Sequence, residues 1–189
     1  MTDERWLIAG LGNPGPQYEA SRHNVGFMVA DELAARIPAT FKRDRSRAMV
    51  ATGTLAGTPV TLGEPLSYMN LSGGAVAALR SFYKIPVERI VVIHDELDLP
   101  FGTVRLKSGG GDNGHNGLRS VSSSLGSRDY CRVRVGIGRP PGRMDPADFV
   151  LRKFATTERA ELPEVLGRAA DLVEALLAHG IVAAQNQFH

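Results

Sequence analysis

The chain has one cysteine, Cys131, so no internal disulfide can form, and such sparing use of cysteine points to a reducing cytoplasm. Long hydrophobic runs are missing as well. None approaches the roughly 20 residues that cross a bilayer, which argues against a membrane partner. The start of the chain carries Asp3 and Glu4 with no uninterrupted apolar stretch, so it does not read as a signal peptide. Metal-ligand spacing is absent: the 5 histidines do not recur at coordinating intervals and Cys131 has no cysteine partner, so no zinc site is expected. There is no internal repeat and no low-complexity linker. What remains is a chain of 189 residues, read as one domain over 1–189. A domain of this size buries about 70% of its unfolded surface and needs no staple to fold.

Net charge is small, +2, but the charges are segregated. Arg36, Lys42, Arg43, Arg45 and Arg47 cluster early, and Arg119, Arg128, Arg132, Arg134, Arg139 and Arg143 follow. Glu158, Glu161, Glu164, Asp171 and Glu174 crowd the end. Runs of this kind are usually solvated faces, yet the arginine bias raises the odds of a polyanionic partner.

Apolar periodicity orders the chain. Residues 6–11 read as a strand buried in a sheet. Val25, Met28, Val29 and Leu33 stripe a helix over 24–37. Residues 49–55 and 58–62 form a hairpin about Ala56-Gly57. Leu71, Ala75, Ala78, Leu79 and Phe82 space a helix over 71–83, with Asn70 as its expected N-cap. Residues 90–93 are a β-branched run that reads as a central strand ending at His94-Asp95. Strands are expected at 103–107 and 131–135, with a glycine-rich loop over 108–115 and a short helix over 116–125 between them. Asp145-Pro146 has the form of an N-cap followed by proline, and a final striped helix ends near Gly180. Alternating strands and helices with one early hairpin give an α/β class with a mixed sheet.

Several local patterns carry little. Gly10-x-Gly12-x-x-Gly15 fits a dinucleotide fingerprint, but Pro14 and Pro16 remove donors and the helix begins too late to hold a pyrophosphate. Ser81-x-x-Lys84 lacks the companion sequences of penicillin-binding enzymes. Cys131 shares a strand face with Val133 and Val135, which suits a core thiol. Arg132 and Arg134 then lie on the opposite face, either on an exposed edge strand or in a phosphate site, the latter being favoured. His94 reads as a packed or capping residue, and His115 as a loop residue of no consequence.

The informative stretch is residues 10–26. A strand leads into a loop holding Asn13, Tyr18, His23 and Asn24, and loops at strand ends carry chemistry because a rigid scaffold aims them. His23 is the candidate general base, with helix capping as its plain alternative. Asp95, Glu96 and Asp98 lie at the exit of the central strand, where α/β folds place their sites. A carboxylate reaching His23 would fix its tautomer and stabilise its cation.

Taken together, Gly10-Leu11-Gly12-Asn13-Pro14-Gly15, Tyr18, Arg22-His23-Asn24-Val25-Gly26, Tyr68-Met69-Asn70-Leu71-Ser72-Gly73, His94-Asp95-Glu96-Leu97-Asp98, Gly114-His115-Asn116-Gly117 and Arg134-Val135-Gly136-Ile137-Gly138 resemble the bacterial-type peptidyl-tRNA hydrolase family nearly end to end. The resemblance implies a single α/β domain, a twisted mixed sheet flanked by helices on both faces. It implies hydrolysis of the ester joining a peptide to the tRNA 3′ end in the cytoplasm, by a monomer without cofactor or metal. His23 would activate water and Asp95 would hold His23. Asn13 would contact the peptide backbone and help reject substrates with a free amine. Asn70 and Asn116 would hold substrate and water, Tyr18 and Tyr68 would line the site for the tRNA end, and Lys107 and Arg134 would clamp tRNA phosphate. The chain departs from the pattern at Asp112 and Asn113, where the family often has His or Gly, and at Glu64, where it often has lysine. The alternative readings are a non-catalytic RNA-binding module on the same fold, as in a plant organelle splicing-factor family, and a nucleotide-dependent enzyme.

Overall fold

One seven-stranded mixed sheet organises the structure, a computed structural model that describes residues 4–189; Asp3, used above in reading the chain's start, lies outside them. The strands are β1 (Trp6–Gly10), β2 (Lys42–Arg43), β3 (Ala48–Leu55), β4 (Thr58–Pro65), β5 (Ile90–Leu97), β6 (Val104–Ser108) and β7 (Cys131–Gly138), in the order β2-β3-β4-β1-β5-β7-β6. β4, β1, β5 and β7 run parallel, while β2, β3 and β6 are antiparallel to their neighbours. The helices are α1 (Val25–Arg36), α2 (Ser72–Tyr83), α3 (Asn116–Leu125), α4 (Pro146–Leu151), α5 (Thr156–His179) and α6 (Ile181–Phe188).

Alternation along the central strands divides the core in two. Ile8, Val91, Ile93 and Val133 face Val25, Val29 and Leu33 of α1 and Val165, Leu172 and Val173 of α5. Leu7, Ala9, Ile90 and Val92 face Val76 and Leu79 of α2 and Leu118 and Val121 of α3. A strand residue's neighbour points to the other face of the sheet, so a strand covered on both faces is apolar throughout; Ile90, Val91, Val92 and Ile93 are fully buried. The expected sheet with helices on both faces is present.

The hairpin about Ala56-Gly57 forms with Leu55 opposite Thr58. Four expectations change. β5 does not stop at His94-Asp95 but continues to Leu97, paired with β7 as far as Gly138; Asp95 and Glu96 are buried there with side-chain partners. β7 likewise runs to Gly138 rather than 135. Asn70 is not the cap of α2: a 3₁₀ turn, Met69–Leu71, precedes the helix, which starts at Ser72, and the Ser72 hydroxyl donates to the Met69 carbonyl at 2.8 Å. The final stripe is followed by a further helix, α6. Asp145 does cap α4, accepting from the Ala147 N–H at 3.0 Å, and α3 spans the predicted residues.

The chain leaves β1 toward α1 and β2 on one side, and β5 lies on the other side of β1. This reversal is the crevice where open α/β sheets place ligands. Gly26 makes the packing there possible. A Cβ on Gly26 would lie 2.4 Å from the Ile93 carbonyl oxygen and 2.6 Å from the Leu11 nitrogen, so α1 can seat over the ends of β1 and β5 only without a side chain at its second residue.

Candidate active site

The loop after β1 is built by two asparagines. Asn24 Oδ1 accepts from the Asn13 N–H at 2.8 Å, and Asn24 Nδ2 donates to the Asn13 carbonyl at 2.9 Å. Asn24 is therefore spent on the loop and does not cap α1. Asn13 Oδ1 in turn accepts from the Met69 N–H at 2.7 Å, which joins the loop to the turn carrying Asn70. With its oxygen held, Asn13 presents its amide N–H groups, and Nδ2 has no protein partner among the described residues.

His23 sits in the 3₁₀ turn Arg22–Asn24 ahead of α1; it does not cap the helix. Its Nδ1 lies 2.8 Å from Asp95 Oδ2, so Nδ1–H donates to the carboxylate and Nε2 is left free to accept a proton. Arg22 fixes this turn from beneath. It is buried, donates to the Phe149 carbonyl at 3.3 Å, pairs with Glu158 at 3.2 Å and stacks over the Phe149 ring at 4.0 Å. Arg22 thus ties the turn to α4 and the start of α5, a role that sequence reading did not give it.

His115 corrects the expectation most sharply. Its Nδ1 accepts from the N–H groups of Gly117 and Leu118, at 3.0 and 3.2 Å, and so caps α3. An acceptor at Nδ1 puts the proton of the neutral ring on Nε2, and Nε2 lies 2.8 Å from Asp95 Oδ1. Asp95 thus receives one imidazole on each oxygen. In sequence His115 reads as a loop residue of no consequence, and neither its cap on α3 nor its carboxylate partner 20 residues away is visible there. His94 is fully buried, with Nδ1 donating to the Asp95 carbonyl at 2.8 Å.

The electrostatics follow from burial and from this shared carboxylate. Burial alone would lower the His23 pKa, but the charge of Asp95 and its hydrogen bond outweigh burial, and the net shift is upward. Asp95 is buried, which would raise its pKa, yet His23 and His115 hold it far below the usual carboxylate range. Burial, aided by His115, pushes His94 down to about 3, so it stays neutral. His23, Asp95 and His115 offer ligand atoms within 4.8 Å of one another, a cluster that spacing along the chain conceals. A cation there would have to compete with both imidazole–carboxylate hydrogen bonds.

A cleft of about 310 Å³ opens on His23, Asp95, His115, Asn113, Asn116 and Val150. Asn116 is exposed at the start of α3, and Asn70 is exposed on its turn. Tyr18 and Tyr68 meet edge to face with ring centroids 6.4 Å apart, and Tyr68 is 56% exposed. Of the basic residues, Lys107 is exposed on the edge strand β6, while Arg134 lies on β7 and pairs with Glu96 at 2.8 Å. Both line one small cavity with His94, Glu96 and Arg132; Glu96 and Asn113 also border the larger cleft.

β7 is not an edge strand, since β6 lies outside it, and Arg132 is not an open phosphate ligand. Its guanidinium is buried, donates to the carbonyls of Gly109 and Arg128, and stacks over Tyr130 at 4.5 Å. It anchors the glycine-rich loop. Cys131 is buried on the other face as expected, and burial pushes its thiol up to about 11.

A family model described as peptidyl-tRNA hydrolase matches residues 7–189. The chain is 67% identical over 187 residues to the peptidyl-tRNA hydrolase of Frankia casuarinae, covering 99% of this chain and 95% of that protein. It is 60% identical over 190 residues to that of Streptomyces coelicolor, covering 97% and 94%. The crystal structure of peptidyl-tRNA hydrolase from Acinetobacter baumannii superposes with a TM-score of 0.92 at 36% identity, over 100% of this chain and 96% of that one. With the family model matched from the first strand to the last residue, the chain belongs to the bacterial-type peptidyl-tRNA hydrolase family.

Proposed function

We propose that the protein cleaves the ester between the peptide and the 3′ end of tRNA in peptidyl-tRNA, with His23 as general base. The observation that carries this reading is the 2.8 Å bond from His23 Nδ1 to Asp95, which leaves Nε2 free as the base. In this mechanism Nε2 takes a proton from water as the water oxygen attacks the ester carbonyl. Asp95 stabilises the imidazolium that forms. The tetrahedral intermediate then expels the ribose 3′ oxygen, which recovers the proton from His23, leaving a free carboxyl on the peptide and a hydroxyl on the tRNA. An ester needs less activation than an amide, so a base and fixed amide donors can suffice.

The remaining roles belong to the same reading. The Nδ2 of Asn13 faces the peptide backbone, and a blocked nitrogen there is accepted where a charged amine is not. Asn70 and Asn116 hold substrate and water, Tyr18 and Tyr68 receive the tRNA end, and Lys107 with Arg134 meets phosphate. We read the chain as one domain over 1–189, a cytoplasmic monomer that works without cofactor. Among the described residues no helix is long and apolar enough to cross a membrane. A non-catalytic RNA-binding module would have no use for a buried carboxylate shared by two imidazoles.

The test is hydrolysis of N-acetylated against free aminoacyl-tRNA. Wild-type protein should cleave the blocked substrate and spare the free one. His23→Ala should lose about 10²- to 10⁴-fold in rate, the usual scale of a general base, while still binding tRNA in a filter assay. Substantial turnover by His23→Ala would remove the base assignment.

A further inference from the structure

We propose that a groove on the β4 side of β1 is a subsite for a lysine or arginine side chain of the peptide, its charge met by Asp31 and Glu64. The proposal rests on the hydrolase reading above. The groove, about 420 Å³, has apolar walls that include Pro16, Met28 and Leu66, and it carries Asp31 and Glu64 together with the exposed Glu19. Long basic side chains suit such a site because they lay an alkyl stem along apolar surface and extend a charged head beyond it.

Three observations make the groove a receiving site rather than two surface acids. First, Asn13, 7% exposed, lines it; its Nδ2 has no protein partner among the described residues, and this is the group assigned to the peptide backbone. Second, Glu64 Oε2 is buried with no donor reaching it, and neither carboxyl forms an ion pair among the described residues. Third, Glu64 and Asp31 bear on one another, and a proton held at Glu64 relieves their repulsion. Burial, followed by the hydrogen bond and charge of Asp31, pushes Glu64 up to about 10. An entering cation would supply the missing countercharge and release that proton to solvent.

Charge also selects the occupant. RNA is polyanionic and is repelled by the pair, and the cations assigned to it, Lys107 and Arg134, lie beyond β5 on the opposite side of β1. The tRNA end assigned to Tyr18 and Tyr68 carries phosphate that these acids repel, so the peptide is the part of the substrate whose charge suits the groove.

The experiment measures steady-state hydrolysis of N-acetyl-dipeptidyl-tRNAs on one tRNA body, with lysine, glutamine or glutamate at the last or second-last residue. At one of these positions wild-type protein should show a KM for lysine about two- to fivefold below that for glutamine, the scale of a partly exposed ion pair, with glutamate above both. Asp31→Asn with Glu64→Gln should collapse the three values together, and Glu64→Lys should invert their order. Circular-dichroism melting checks that the variants fold. The subsite is overturned if wild-type protein treats all three alike at both positions, or if the lysine preference survives in both variants. Failure of wild-type protein to cleave any blocked substrate would instead overturn the hydrolase reading, and the subsite with it.

Discussion

Asp95 gathers two imidazoles on one buried carboxylate, and the two rings depend on it differently. His115 is committed at both nitrogens, to Asp95 and to the first turn of α3, so it acts as a brace. His23 is committed at one nitrogen only, so it can turn over a proton. Because only neutral His23 can accept a proton, activity should rise with pH through its pKa, and the acid limb of kcat/KM should lie above 6.5, the reference value for histidine. Asp95→Asn keeps a hydrogen-bond acceptor but removes the charge that raises this pKa. Burial, the opposing influence, then prevails: the acid limb should move to lower pH while the plateau rate falls. An unmoved limb with normal activity would break the pairing. His115→Ala should lower the rate by freeing Asp95 and should cost about 1 kcal/mol in stability by uncapping α3, read as a lower melting temperature. Since both variants act through one carboxylate, their effects should be non-additive in a double-mutant cycle.

At the level of elements, close backbone approaches govern the site. α1 lies directly over the ends of β1 and β5 at Gly26, and the first turn of α3 packs at Gly117, where a Cβ would stand 2.6 Å from Met69 Sδ and 2.9 Å from Leu11 Cδ1. Gly26→Ala drives a methyl into backbone atoms that cannot yield, so it should destabilise by about 1–3 kcal/mol, the usual cost of overpacking, and should misplace His23, lowering kcat more than it raises KM. A thermal melt with matched kinetics checks this; a variant with wild-type melting and turnover would show that α1 can move away freely. The elements most legible in sequence were those with a clear apolar period, such as β1, α1, the hairpin and α5. Legibility failed where polar residues are buried with partners from elsewhere. His94-Asp95-Glu96 read as the end of a strand, yet β5 runs through them: His23 and His115 bond Asp95 and Arg134 bonds Glu96, while His94 is held by the Asp95 carbonyl. Arg132 read as a phosphate ligand because alternation reports a face but not the loop carbonyls waiting there. His23 stood out because Asn13, Tyr18 and Asn24 crowd near it in sequence, although its bonded partner, Asp95, lies 72 residues on; His115, 20 residues from the same carboxylate, read as part of the glycine-rich loop.

Across the whole molecule, the charge segregation seen in sequence is partly internal. Arg36 leaves the early basic cluster to meet Asp171 and Glu174 on α5, so one member of that cluster is neutralised by the acidic end. Lys42, Arg43, Arg45 and Arg47 remain exposed at the β2 edge. At the far edge, β6 and β7 set Lys107 opposite Arg132, and Arg105 opposite Arg134. Arg132 anchors a loop and Arg134 balances Glu96, so Lys107, with no ion pair among the described residues, is the cleanest probe of the proposed phosphate clamp. Lys107→Ala should raise KM for full-length peptidyl-tRNA and reduce the slope of log KM against log salt by about one, because one fewer counterion is released on binding. Arg134→Gln should do the same while keeping a donor for Glu96; truncation to alanine would confound the result by stranding a buried carboxylate. A minimal substrate, an N-acetylaminoacyl ester of a short oligonucleotide lacking the tRNA body, should be hydrolysed by Lys107→Ala as it is by wild-type protein. Equal losses on the two substrates would place Lys107 in the catalytic centre or the fold, and the clamp would have to be sought elsewhere, with the exposed arginines of the β2 edge the next residues to neutralise.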